Sequence, residues 1–191
     1  MMFKLYRVLR KIPVLGSVFR IVNAYVYSGR LVYNTQVAPL NLWWSKVLKK
    51  MFYMLVFTIF VLQGDLFHMA SLKWEPADTI LSIFPSVLGF GIGVYGLMFV
   101  MPTSFMAFLI KNQAKLKFGP EIIHVDMGYP LVVYASVMLV AIFDKILSTP
   151  LMKFMCVWAL FYGVAIVFEL ISFLFNASVL IMRESAKSSE K

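Results

Sequence analysis

Thr79 to Ile110 reads TILSIFPSVLGFGIGVYGLMFVMPTSFMAFLI, 32 residues without a charge between Asp78 and Lys111. As a helix this run is about 48 Å long at ~1.5 Å per residue, against roughly 30 Å for the hydrocarbon core of a bilayer. It is too long for a buried strand and shows no strand periodicity. The stretch is therefore read as a transmembrane helix over about 79–101, with Pro102 marking where it leaves the lipid.

Three more runs of the same kind flank it. MFYMLVFTIFVLQGDLFHMA (51–70) follows Lys49 and Lys50; a third lies at about 128–147, ending near Asp144 and Lys145; the fourth, 154–182, is bracketed by Lys153 and Arg183. The whole composition agrees: 61% hydrophobic, 14% charged, mean hydropathy +0.84. Soluble domains carry about a quarter charged residues, so too few remain here to coat a water-facing surface. Disorder, coiled coil and a disulfide scaffold fall on the same numbers, since Cys156 is the sole cysteine. The fold class expected is an all-α membrane protein of four transmembrane helices.

Charge sets the orientation. The net charge is +9, and residues 1–50 hold nine Lys or Arg and no Asp or Glu. With the N-terminus inside, the segments 1–50, 111–127 and 183–191 carry fifteen basic residues, while Lys73, Lys145 and Lys153 lie outside. That bias predicts both termini in the cytoplasm of a plasma (inner) membrane. Trp43, Trp44 and Trp74 fall where interfacial aromatics are expected. The chain divides into a basic interfacial segment (1–46), a transmembrane domain (47–182) and a cytoplasmic tail (183–191). A signal peptide is not expected, because Pro13 and Arg20 interrupt the first apolar stretch.

Two amphipathic helical patterns precede the first span, divided by Pro13. Leu5, Val8, Leu9 and Ile12 oppose Lys4, Arg7 and Lys11; then Leu15, Val18, Phe19, Val22 and Val26 oppose Ser17, Arg20, Asn23 and Arg30. Such a segment lies in the headgroup plane, each basic residue adding about 1 kcal/mol of attraction to an anionic leaflet. Lys4, Arg7, Arg10, Lys11 and Arg20, with Lys111, Lys115 and Lys117 of the inner loop, are the candidate lipid- or partner-binding residues. The segment either simply anchors the first span or forms a collar that senses lipid or docks a soluble partner.

Inside the spans, Gly89 and Gly93 form a GxxxG pair with Gly91 and Gly96 nearby, and Pro85 predicts a kink. Helix packing is expected of these residues; lining a narrow channel is the alternative. Glu169 falls near the middle of the fourth span, where a charge costs at least about 2.5 kcal/mol. No Lys or Arg is expected at its depth. Its candidate partners are Ser86, Tyr95, Ser136, Asn176 or the same residue of a second copy; Glu169 is read either as a structural hydrogen-bonding group or as a proton relay, gate or ion site, and with Asn176 it forms the candidate gate. Asp65, Gln63 and Asp144 lie toward the outer boundary, where interfacial solvation is expected and an ion vestibule is the alternative.

Catalytic patterns are missing. His68 and His124 fall on opposite sides, no serine sits in a nucleophile elbow, and no strand precedes the glycines. The loop 111–127, with Glu121, His124 and Asp126, is read as solvated. No enzyme activity, cofactor, metal or direct nucleic-acid contact is expected. A small bundle with so much apolar surface is expected to be a homo-oligomer, with a tetramer as the working number.

The basic amphipathic N-terminus, the four spans and PSVLGFGIGVYGLMF (85–99) resemble the small membrane subunit of the bacterial Kiwa anti-phage defence system, KwaA. The resemblance covers most of the chain and implies an inner-membrane oligomer that senses phage attack and signals to a soluble cytoplasmic effector, KwaB. The reading carried forward is thus a non-enzymatic sensor or scaffold. An ion-conducting pore or small transporter built on Glu169 and the glycines is the alternative, and a holin-like toxin a third.

Overall fold

In the computed structural model, residues 12–30, 35–63, 74–97 and 121–189 are described, with Tyr6, Arg10 and Val32; for 97, 121–123, 180, 181 and 183–189 only the backbone is described. The distal part of the first expected span, residues 98–101 and most of the inner loop, including Lys111, Lys115 and Lys117, lie outside them. So do Lys4, Arg7 and Lys11.

All regular structure among the described residues is helical. Helix α1 spans Leu15–Val26 and closes in a Schellman turn: Ser28 N–H donates to Tyr25 O and Gly29 N–H to Ala24 O, with Ser28 and Gly29 left-handed at φ 52° and 76°. The chain returns through 35–39, held to α1 by Asn23. Its Nδ2 donates to Gln36 O at 3.0 Å and its Oδ1 accepts from Ala38 N–H at 2.9 Å.

A second rod begins as α2 (Leu40–Trp43), widens to a π-helical turn over Trp44–Leu48, and continues as α3 (Lys49–Val61). Helix α4 (Pro76–Leu97) passes through Pro85 unbroken. Helix α5 (Glu121–Leu147) begins seven residues before the expected span, inside the segment read as a loop. Helix α6 (Pro150–Ser189) runs through both the fourth expected span and the expected tail. The α5–α6 corner is built from its sequence: Ser148 takes the left-handed φ of 49°, Thr149 Oγ1 accepts from Met152 N–H, and Pro150 occupies the first helical position.

Helix α5 is central, packed on α4 and α6; α3 rests on α6, α4 also meets α6, and α1 crosses α5. The core holds Phe84, Tyr134, Met127, Ile80 and Ile166, with the Phe84 ring edge-on to Tyr134. At Gly163 an added Cβ would stand 2.5 Å from Phe84 Cε1, so this glycine is what lets α6 close on α4. The outside of the bundle is greasy: Phe60, Phe90, Phe168 and Ile146 are each about two-thirds exposed. A soluble bundle would bury such faces; a lipid-facing one presents them. Three of the helices, over Pro76–Gly96, His124–Leu147 and Pro150–Val179, are long and apolar enough to cross a membrane.

Candidate functional site: a charged hub where four helices meet

At the end of the bundle nearest α1, groups from α1, the π turn with α3, α5 and α6 converge. Lys50 Nζ donates to Glu169 Oε2 at 2.7 Å and to the Tyr25 hydroxyl at 2.8 Å. The Tyr25 ring lies flat on Tyr129, with centroids 3.9 Å apart and planes 5° from parallel. Tyr129 is in turn hydrogen-bonded through its hydroxyl to Tyr162 of α6. Lys46 and Lys50 also stand 5.9 and 5.4 Å from the Tyr25 ring centroid, within cation–π reach. A cavity of about 130 Å³ beside these groups is lined by Lys46, Asp126 and Glu169 together with Tyr25, Tyr129 and Phe173.

Local sequence explains the convergence. The π turn carries Lys46 and feeds directly into α3, so Lys46 and Lys50 face the same aromatic ring. At the next residue, Met51, the backbone O accepts from Trp158 Nε1 at 3.1 Å and fastens α3 to α6. Burial pulls the Lys50 ammonium down, but its hydrogen bonds to Glu169 and Tyr25 outweigh this and hold it above its ordinary value. Burial raises the Tyr25 phenol, against the pull of the neighbouring Lys50. Lys50 is therefore a fixed cation and Tyr25 a neutral hydroxyl at neutral pH. Such a node can hold four elements in one arrangement, or release them together.

A second ionic belt lies at the α5–α6 corner. Lys145 pairs with Asp78 and Lys153 with Glu75, both at 2.8 Å, and Trp74 Nε1 donates to Thr79 Oγ1 at 2.8 Å. Sixteen residues of α6 separate Lys153 from Glu169, about 24 Å of helix; eighteen residues of α5, about 27 Å, separate Asp126 from Asp144. Between the belts the helices are nearly uncharged.

Several expectations are corrected here. Glu169 does have a cation at its level, Lys50, because α3 lies directly against α6; Ser136, one of the candidate partners, instead donates back to Val132 O in its own helix at 2.8 Å. Asn176 sits exposed, seven residues beyond Glu169 on α6, and does not join the hub. Asn23, read on the polar face of α1, is fully buried as the staple to residues 36–38. Asp144 is not solvated but only 4% exposed, at the level of buried Cys156.

Of the four glycines of α4 only Gly91 packs within the chain, its Cβ position 2.6 Å from Leu131 Cδ2; Gly89, Gly93 and Gly96 meet nothing within 4 Å, and Pro85 is exposed. Arg10 and Arg20 are both exposed. Sequence reading missed Tyr25, Tyr129, Tyr162, Lys46 and Gly163. Tyr25, three residues after Val22, continues the apolar register of α1 and so reads as packing alone, and only the four-residue spacing of Lys46 and Lys50 hinted at a shared target. No family model, curated protein or solved structure matches this chain.

Proposed function

We propose that the chain is a non-enzymatic sensor or scaffold of a bacterial plasma membrane, acting as a homo-oligomer that recruits a soluble cytoplasmic effector, as its resemblance to the Kiwa membrane subunit implies. The observation that carries this reading is the hub. It ties α1, the amphipathic basic helix expected at the membrane surface, to α6, which continues twenty residues past Glu169, about 30 Å of helix. A disturbance that lifts α1 has a direct mechanical route, through Tyr25, Lys50 and Glu169, to the helix that would present a docking surface. In this reading the two ionic belts stand at the two membrane boundaries, with the hub on the cytoplasmic side.

Assembly is supported by the face of α4 that carries Ser82, Ser86, Gly89, Gly93 and Gly96. These small residues recur every three or four positions and are exposed on the single chain. Backbones approach closely along such faces in lipid. A pore built jointly on Glu169 and these glycines is less well supported, because Glu169 is engaged by Lys50 and the described lining of its cavity draws on no residue of α4.

The test is affinity capture of the full chain from native membranes through a tag at its C-terminus. Capture of one soluble protein, lost when Arg183 and Lys187 are neutralised and weakened by Lys50→Met, supports the reading. Membrane depolarisation by the purified, reconstituted chain that disappears in Glu169→Gln would replace it with the pore.

A further inference from the structure

A second, larger cavity of about 630 Å³ lies between α1, α4 and α5, outside the hub. Its lining is divided by depth. Arg20 and Ser17 of α1, Tyr95 of α4 and His124 of α5 form a polar rim, with the Tyr95 ring edge-on to His124 at 5.9 Å. Below the rim the walls are Leu88 and Ile92 of α4 and Leu131, Val132 and Ala135 of α5. From His124 to Ala135 is eleven residues, so the apolar wall descends about 16 Å along the helix.

The rim sits at the level of the hub, two residues of α5 from Asp126. It holds a guanidinium and no carboxylate, and among the described residues no acidic group pairs with Arg20. The hub cavity, by contrast, sets Lys46 beside the carboxylates Asp126 and Glu169, and another cavity of about 330 Å³, beneath Val18 and Val22, has no charged residue in its lining.

We infer that this groove holds one anionic phospholipid, its phosphate on Arg20 with a hydrogen bond from the Ser17 hydroxyl, beside the Tyr95 and His124 rings, and one acyl chain against Leu88, Ile92 and Leu131. A guanidinium matches a phosphate bidentately, and the Ser17 hydroxyl adds a donor to the oxygen shell. The apolar wall continues the lipid-facing surface, so an acyl chain enters sideways from the bilayer without crossing a polar barrier. The lipid wedges between α1 and the α4–α5 pair, so its presence fixes how α1 lies on the bundle. The inference rests on the membrane reading proposed above and adds to it the ligand that α1 would sense.

The test uses the full chain in a mild non-ionic detergent and native mass spectrometry with titrated phosphatidylglycerol or phosphatidylcholine. Wild type is expected to retain one phosphatidylglycerol per chain and to bind phosphatidylcholine at least about tenfold more weakly. Arg20→Gln should lower phosphatidylglycerol retention about tenfold, and Ile92→Trp, which fills the groove from an exposed position, should abolish it. Arg30→Gln, an exposed cation outside the groove, should change it less than about twofold.

Equal loss in Arg20→Gln and Arg30→Gln, equal retention of both lipids, or full retention in Ile92→Trp overturns the inference. If Ile92→Trp does not fold, Leu88→Phe is the second groove-filling variant, judged by the same readout. A chain that stays monodisperse without detergent refutes the membrane reading itself, a different outcome from a detergent-requiring chain that ignores lipid charge.

Discussion

Removing one partner of the Lys50–Glu169 pair deprives the other of its 2.7 Å counter-ion beside the aromatic rings. The pair is partly exposed, so Lys50→Met or Glu169→Gln is expected to cost about 1 kcal/mol each in thermal stability, the top of the range for such pairs. The double variant should cost less than the two single losses combined. Lys50 is held above its ordinary value of 10.5, so its stabilisation is complete below that pH and is lost as pH rises through the folded value. The melting-temperature gap between wild type and Lys50→Met should accordingly hold steady below pH 10.5 and close above it. At Asn23 both amide atoms are engaged and the side chain is fully buried, so Asn23→Ala strands the Ala38 N–H and should cost about 1–3 kcal/mol, measured by the same melts.

Glycine has opposite meanings on two helices, and a matched pair of substitutions separates them. Gly163→Val drives a branched side chain into Phe84 and Val137 at the α4–α6 crossing and should destabilise the folded chain by about 1–3 kcal/mol. Gly89→Leu with Gly93→Leu meets open space, so the fold should survive while any oligomer dissociates; mass photometry in detergent against the melting temperature reads both. A hydrophobicity profile finds the spans because burial in lipid depends on the summed apolarity of about twenty residues, a property of composition alone. It could not rank the glycines, since which face of α4 meets α5 depends on where Leu131 points. Nor could it find the Lys50 partner of Glu169, because the two lie 119 positions apart and meet only through the packing of α3 on α6. The helical start at Glu121 was hidden by polar Glu121, His124 and Asp126, which resemble loop residues until Tyr25 and the hub are set beside them.

For the molecule as a whole, the two ionic belts give a topology that labelling can read. With Cys156→Ser as background, a membrane-impermeant maleimide on intact cells should modify Leu151→Cys near the corner belt and spare Asn176→Cys beyond the hub. Both should react once the membrane is opened. The reverse pattern would invert the orientation expected from the positive-inside bias.

The spacing of the belts has one more consequence. They stand about 24–27 Å apart along helices, and any tilt shortens that further, whereas an average hydrocarbon slab is about 30 Å. In the proposed orientation, with the belts at the two membrane boundaries, lipid around the bundle puckers inward by several Å to keep Glu169, Lys50, Lys145 and Lys153 wetted, at a fraction of a kcal/mol per Å. In that orientation a stretched, and so thinned, bilayer relieves this deformation, which is the kind of input the proposed sensor would read.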